Sequence, residues 1–332
     1  MNKALTKIAG TCTALAVSVA PVMAQEYRWD MPNEYAKASG HYYDEIFADK
    51  LREATGGAID ITNHYGGSLG YKSKDHWNVV EDGAAQVAST YTGVFAGIDP
   101  IFLLVSMPFL ARNIDESKAL YDAARPWYEA AFEKGNQKLL LAVPFPPVGI
   151  WAKQPVTDTD ELAQIRIRTY DKTSTVALKA AGANAVQLSW ADIVPALTTG
   201  TIDAVLTAGE GGVLSSFYEH MDHFNAINYV AGTQMFHINK DAFDALTPGL
   251  QETVLQIAKE TEDEAWEAIK ERVEKSYVAM REQGVTIITE DDLADGFLDS
   301  LKEASQVVFQ EWRDKMPEGA ADKIIASFND MK

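Results

Sequence analysis

Cysteine is almost missing from this chain: of 332 residues only Cys12 is one, and it lies near the start. Past that point no disulfide, zinc–cysteine site or cysteine nucleophile can form. Long apolar runs are missing too. The one candidate, Ala14 to Val22, is too short to span a bilayer, which needs about 20 residues. Basic charge is in short supply. The 29 Lys and Arg face 48 Asp and Glu, a net charge of −19, which argues against nucleic acid or an anionic membrane surface as partner.

The usual catalytic signatures are absent as well. The glycine-rich turns Gly66-Gly67 and Gly209-Glu210-Gly211-Gly212 are not followed by the Gly-Lys-Ser/Thr of a phosphate loop. His64 and Ser68 have no Gly-x-Ser-x-Gly elbow and no orienting acid, which weakens a hydrolase reading. His220 and His223 form a His-x-x-His without a third ligand at a recognisable spacing, and the end of a helix is the expected place for them. No enzyme, metal site or cofactor is expected.

What is present begins with an address. Lys3 and Lys7, the apolar run and Val22-Met23-Ala24 read as a secretory signal peptide over residues 1–24, cut before Gln25. Without Lys3 and Lys7, 27 basic residues face 48 acidic ones, so the mature charge is −21. Export without disulfides fits a bacterial periplasm, where stability must come from a sizeable core.

The stretch Gln164 to Glu210 carries most of the information. Ile165 and Ile167 alternate with Arg166 and Arg168 as in a short strand. Asp171 to Ser174 start a helix that Gly182 stops. Ala185 to Leu188 make a second strand, Trp190 to Leu197 a short helix capped by Ser189, and Ile202 to Leu206 a third strand. Strands joined by helices pair in parallel and bind ligands at their carboxyl ends. Arg168, Tyr170, Trp190 and Thr207 lie at or near those ends. A guanidinium there can grip a carboxylate with two parallel hydrogen bonds. A surface arginine paired with Asp192 is the plainer reading of the same residue. Arg166, one step further from the strand end, is expected to pair with a nearby acid.

Tyr27 to Ser89 repeats this order. Strands are expected over Tyr27 to Met31, Ile59 to His64 and Ala85 to Ser89, with helices over Ser39 to Ala54 and Lys74 to Asp82. Further on, Glu116 to Lys134 reads as a helix, and Leu139 to Val143 and Met235 to Asn239 as strands. Thr247 to Gln283 reads as one long helix, opened by Thr247-Pro248 and closed by Gly284. The expected fold is α/β, two lobes with a cleft between them and a helix spanning both. Lobe I takes residues 25–147, with about 236–283 returning to it or bridging. Lobe II takes residues 148–235, with about 284–332 packing across. Crossings are expected near Val148 and between Ala231 and Asn239.

Several segments carry a family resemblance: ATGGAIDITNHYGGSLG (Ala54 to Gly70), DGAAQVA (Asp82 to Ala88), MPFL (Met107 to Leu110), LAQIRIR (Leu162 to Arg168), AGANAVQLSWADIVPALTTGTIDAV (Ala181 to Val205) and HINKDAF (His237 to Phe243). In order and spacing they resemble the solute-binding proteins of TRAP transporters. The resemblance implies the α/β two-lobe periplasmic-binding-protein (type II-like) fold and a periplasmic receptor that traps an organic acid between two lobes and hands it to a two-subunit, ion-driven permease in the inner membrane. It also implies that Arg168 is the carboxylate clamp. Phe243 departs from the family's Trp. Thr207 stands where many relatives have another polar contact, and Val148 where some sugar-acid binders have a second arginine.

Candidate ligand contacts are therefore Arg168, Tyr170, Trp190 and Thr207, with Glu34, Ser89, Tyr91, Phe145, Trp151 and Gln234 from other strand ends and crossings. Aromatic side chains at such places are core residues as often as cleft walls. Glu210 and Gln234 are also considered as cation ligands, as in some relatives. A monomer is expected. An apolar or aromatic monocarboxylate is favoured slightly over C4-dicarboxylates, 2-oxo acids and sugar acids. A periplasmic hydrolase, and a receptor feeding a sensor kinase, are the competing readings.

Overall fold

The computed structural model describes residues 26–35, 37 and 42–332. The proposed signal peptide and residues 39–41 of the first expected helix lie outside the described residues. Eleven strands are described: β1 (Tyr27–Pro32), β2 (Ile59–His64), β3 (Val87–Thr90), β4 (Gln137–Pro144), β5 (Val148–Ala152), β6 (Arg166–Thr169), β7 (Asn184–Gln187), β8 (Ala204–Ala208), β9 (His223–Asn225), β10 (Thr233–Asn239) and β11 (Thr286–Ile288).

The strands form three sheets. One lobe holds the parallel pair β1-β2 and the sheet β3-β10-β4; the other holds a six-stranded sheet in the order β11-β9-β5-β8-β6-β7. In that sheet β6 pairs parallel with both β7 and β8, as the strand–helix alternation required. The period of two along β5 and β8 then sorts their side chains. Ile150 and Leu206 enter a core with Ile167 and Leu178, while Trp151 and Val205 enter another with Ile193, Phe224 and Met280.

Three local readings were incomplete. The first lobe keeps the order of the second but not its pairing. β3 leaves β1-β2 and runs antiparallel to β10, Thr90 opposite Met235, because the returning chain inserts between β3 and β4. The crossing near Val148 is itself a strand: all five residues of β5 are buried, so no alternation marks them. His220 ends a short turn, Phe217–Glu219, and His223 opens β9 instead of ending a helix.

The crossings lie side by side. The backbone of Phe145 donates to Gly232 at 2.9 Å, Val148 N donates to the carbonyl of Val230 and Tyr229 N to that of Val148, both at 2.8 Å. A third tie is the helix Pro248–Glu282. At about 1.5 Å per residue it is about 50 Å long. Its first half packs Val254, Ile257 and Ala265 in the core of the first lobe; its last turns put Tyr277 and Met280 against the second. The C-terminal helices also cross, with Leu301 in one lobe's core and Trp312 and Phe328 in the other's. Among the described residues no helix is long and apolar enough to cross a membrane.

Candidate functional site

A cavity lies where the two lobes meet. It begins with Arg168, one residue before the end of β6. Ile167 points into the core below, so Arg168 points to the opposite face, where Trp190 follows β7. The side chain is only 4% exposed. Its Nε donates to the carbonyl of Leu188 at 3.0 Å and one Nη to that of Leu206 at 3.5 Å, and the guanidinium lies 5.7 Å over the Trp190 ring. Among the described residues no carboxylate comes within ion-pair distance of it. Burial lowers its pKa to about 10, against the opposing pull of Tyr35, Glu34, Tyr170 and Asp171. Arg168 is thus a desolvated cation held by backbone carbonyls.

Aromatic side chains from both lobes wall the cavity. Tyr35 meets Trp190 edge-on with centroids 5.9 Å apart, and Tyr91 meets Tyr170 in the same way at 5.4 Å. Both pairs bridge the lobes. Tyr91 also lies 6.0 Å from Phe145 and donates its hydroxyl to the carbonyl of Val105. Its ring fits because residue 232 is glycine: a Cβ there would stand 2.9 Å from the ring. Asp171 caps the helix Lys172–Ala180, its Oδ1 accepting from Ser174 N at 2.8 Å, and so fixes the chain direction just after Tyr170. Thr207 adds a hydroxyl from the end of β8, and Pro146 and Val148 add apolar wall.

Six expected contacts therefore meet in one place: Arg168, Tyr170, Trp190, Thr207, Tyr91 and Phe145. The other four lie elsewhere. Trp151 is fully buried behind β8, donating to the carbonyl of Ala208 at 3.3 Å, because alternation along β5 turns it into the core. The Glu34 carboxylate accepts from the backbone of Ser73 at 2.9 Å and is not in the wall. Ser89 is buried and bonded to Gln234, which lines a smaller neighbouring cavity.

Glu210 lines the main cavity but is not available as a cation ligand. Arg272 of the long helix grips both its oxygens, at 3.0 and 2.6 Å. Among the described residues no cluster of His, Cys, Asp and Glu could hold a metal. His64 faces Asp30 at 2.6 Å and is not paired with Ser68. The sequence reading missed Pro146, Ala208, Gly211 and Gly232 as wall residues. They carry no chemistry of their own.

The model of a family described as bacterial extracellular solute-binding protein, family 7, matches residues 36–315. The chain is 25% identical, over 92% of each sequence, to the 2,3-diketo-L-gulonate-binding periplasmic protein of Escherichia coli. It is similar in structure to a marine metagenome TRAP solute-binding protein specific for pyroglutamate, with a TM-score of 0.85 and 26% identity over 92% of this chain and 99% of that one. A Bordetella pertussis extracytoplasmic solute receptor that binds pyroglutamic acid gives a TM-score of 0.85 and 26% identity over 91% and 99%.

Proposed function

The chain belongs to the bacterial extracellular solute-binding proteins of family 7, and on that premise we propose that it is the periplasmic receptor of a TRAP-type transporter for a small organic monocarboxylate. The family is one of binding proteins, not enzymes. The reading is carried by the buried guanidinium of Arg168, which faces an aromatic-walled cavity with no acid in reach among the described residues.

A buried charge without a counter-ion is costly, and a ligand carboxylate would supply one. Two of its five N–H groups go to Leu188 and Leu206. The remaining three can form the forked pair that fits a carboxylate. Trp190, Tyr170, Tyr91 and Phe145 would cover the ligand's body, and Thr207 would take a polar substituent. Apolar Val148 and Pro146 in the wall favour one anionic group over two. Pyroglutamate, a compact ring with a single carboxylate, is the first candidate, since two similar receptors bind it. The loaded protein would deliver its acid to a two-subunit permease in the inner membrane.

Titration calorimetry with pyroglutamate and an organic-acid library tests this. Arg168→Ala is expected to weaken the best ligand at least tenfold, about 1.4 kcal/mol, with the ligand-free melting temperature little changed. Unchanged affinity would reject the clamp.

A further inference from the structure

A second cavity adjoins the first through their shared wall residue Phe145 and is lined also by Asp44, Val143, Pro144, Gln234 and Arg272. The two are successive along one stretch of chain. Gly232 lines the first and Gln234 the second, two residues and about 7 Å further on.

Gln234 is 1% exposed. Its Nε2 donates to the Ser89 hydroxyl oxygen, Ser89 is bonded in turn to the Asp44 carboxyl, and the Asn33 amide donates to Asp44 from the other side. This chain fixes which end of the Gln234 amide faces Ser89. The other end, Oε1, is buried and has no hydrogen-bond partner. An orphaned acceptor inside a protein is costly, so its place on a cavity wall points to a group that arrives from outside. That group must donate. It is also uncharged: Arg272 stands on the same wall with its charge balanced by Glu210, and burial pushes the Asp44 carboxyl up to about 7, which weakens it as a counter-ion for an ammonium.

We propose that Gln234 is a specificity-determining residue whose amide oxygen accepts a hydrogen bond from a neutral donor, a hydroxyl or an amide N–H, carried on the ligand away from its carboxylate. The inference rests on the carboxylate reading of Arg168, and the test separates the two. Calorimetry on the whole mature protein compares propionate, butyrate and valerate with their ω-hydroxy and ω-amino counterparts. At one chain length the hydroxy acid is expected to bind about fivefold or more tightly than both its methyl and its ammonium partner. Gln234→Leu should erase that preference.

Equal affinity for methyl and hydroxy acids at every length overturns the proposal. So does a preference that survives in Gln234→Leu, while Arg168→Ala still weakens binding at least tenfold. If Gln234→Leu does not fold, Gln234→Met and the wild-type comparison decide. If no acid binds the wild type, or Arg168→Ala binds all of them unchanged, the carboxylate reading fails and this inference falls with it.

Discussion

Arg166 and Arg168 stand two residues apart on one strand and end in opposite environments. Arg166 is exposed and paired with Asp203 through two contacts of 2.7 Å, a surface pair that solvent screens. Arg168 is buried beside Trp190. Distance from the strand end separates them, which is why the sequence could rank them. Asp44 had no such signal. An acid in the first turn of an amphipathic helix is ordinary, and only the packing of Asn33 and Ser89 around it makes it a buried one. Burial raises its pKa from 3.8 to about 7, so the folded state holds the proton more tightly than the unfolded state does. Its contribution to stability is full below about pH 4 and is lost as the pH rises through 7. Asp44→Asn removes this dependence. Its stability relative to wild type is expected to climb between pH 4 and 7, by up to about 1.4 kcal/mol per pH unit, in thermal melts across that range.

The long helix is the element whose ends were most legible, because caps are local chemistry. Thr247 accepts from the backbone of Leu250, Pro248 takes the first turn, and Gly284 follows with a φ of +79° that favours glycine. The strands were less legible. β5 has no alternation to read, and the partner of β3 lies 147 residues away for the bond between Thr90 and His237. Trp151 shows the same difficulty: an aromatic near a crossing could face either way until β8 and the helix Gly209–Leu214 close over it. That helix sits so close that a Cβ on Gly212 would come within 2.2 Å of the indole. Gly212→Ala should cost about 1–3 kcal/mol. Calorimetry should record a lower melting temperature, and an unshifted one would mean the helix moves away freely.

At the scale of the whole molecule, one polar junction links both lobes and the long helix. Glu210 in the cavity wall is held by Arg272, whose guanidinium lies 5.2 Å over Tyr42 and 5.8 Å over Tyr43 of the first lobe. Removing Arg272 from this part-buried pair would leave a bare carboxylate beside the ligand. Arg272→Met is therefore expected to disfavour the closed, loaded form. Two lobes around a ligand are expected to close by a hinge, so the wild type should contract in saturating ligand by small-angle scattering, while Arg272→Met should keep a radius of gyration near its ligand-free value.

The chain's order alone determined the two α/β halves, the bracing helix and the position of Arg168, because periodicity, caps and strand ends are set by near neighbours. Only the folded chain decided that β10 would slip between β3 and β4, that Trp151 would turn inward, and that Gln234 would be left with an unpaired oxygen. Those outcomes depend on which surfaces meet across long loops, and a local pattern carries no record of that meeting.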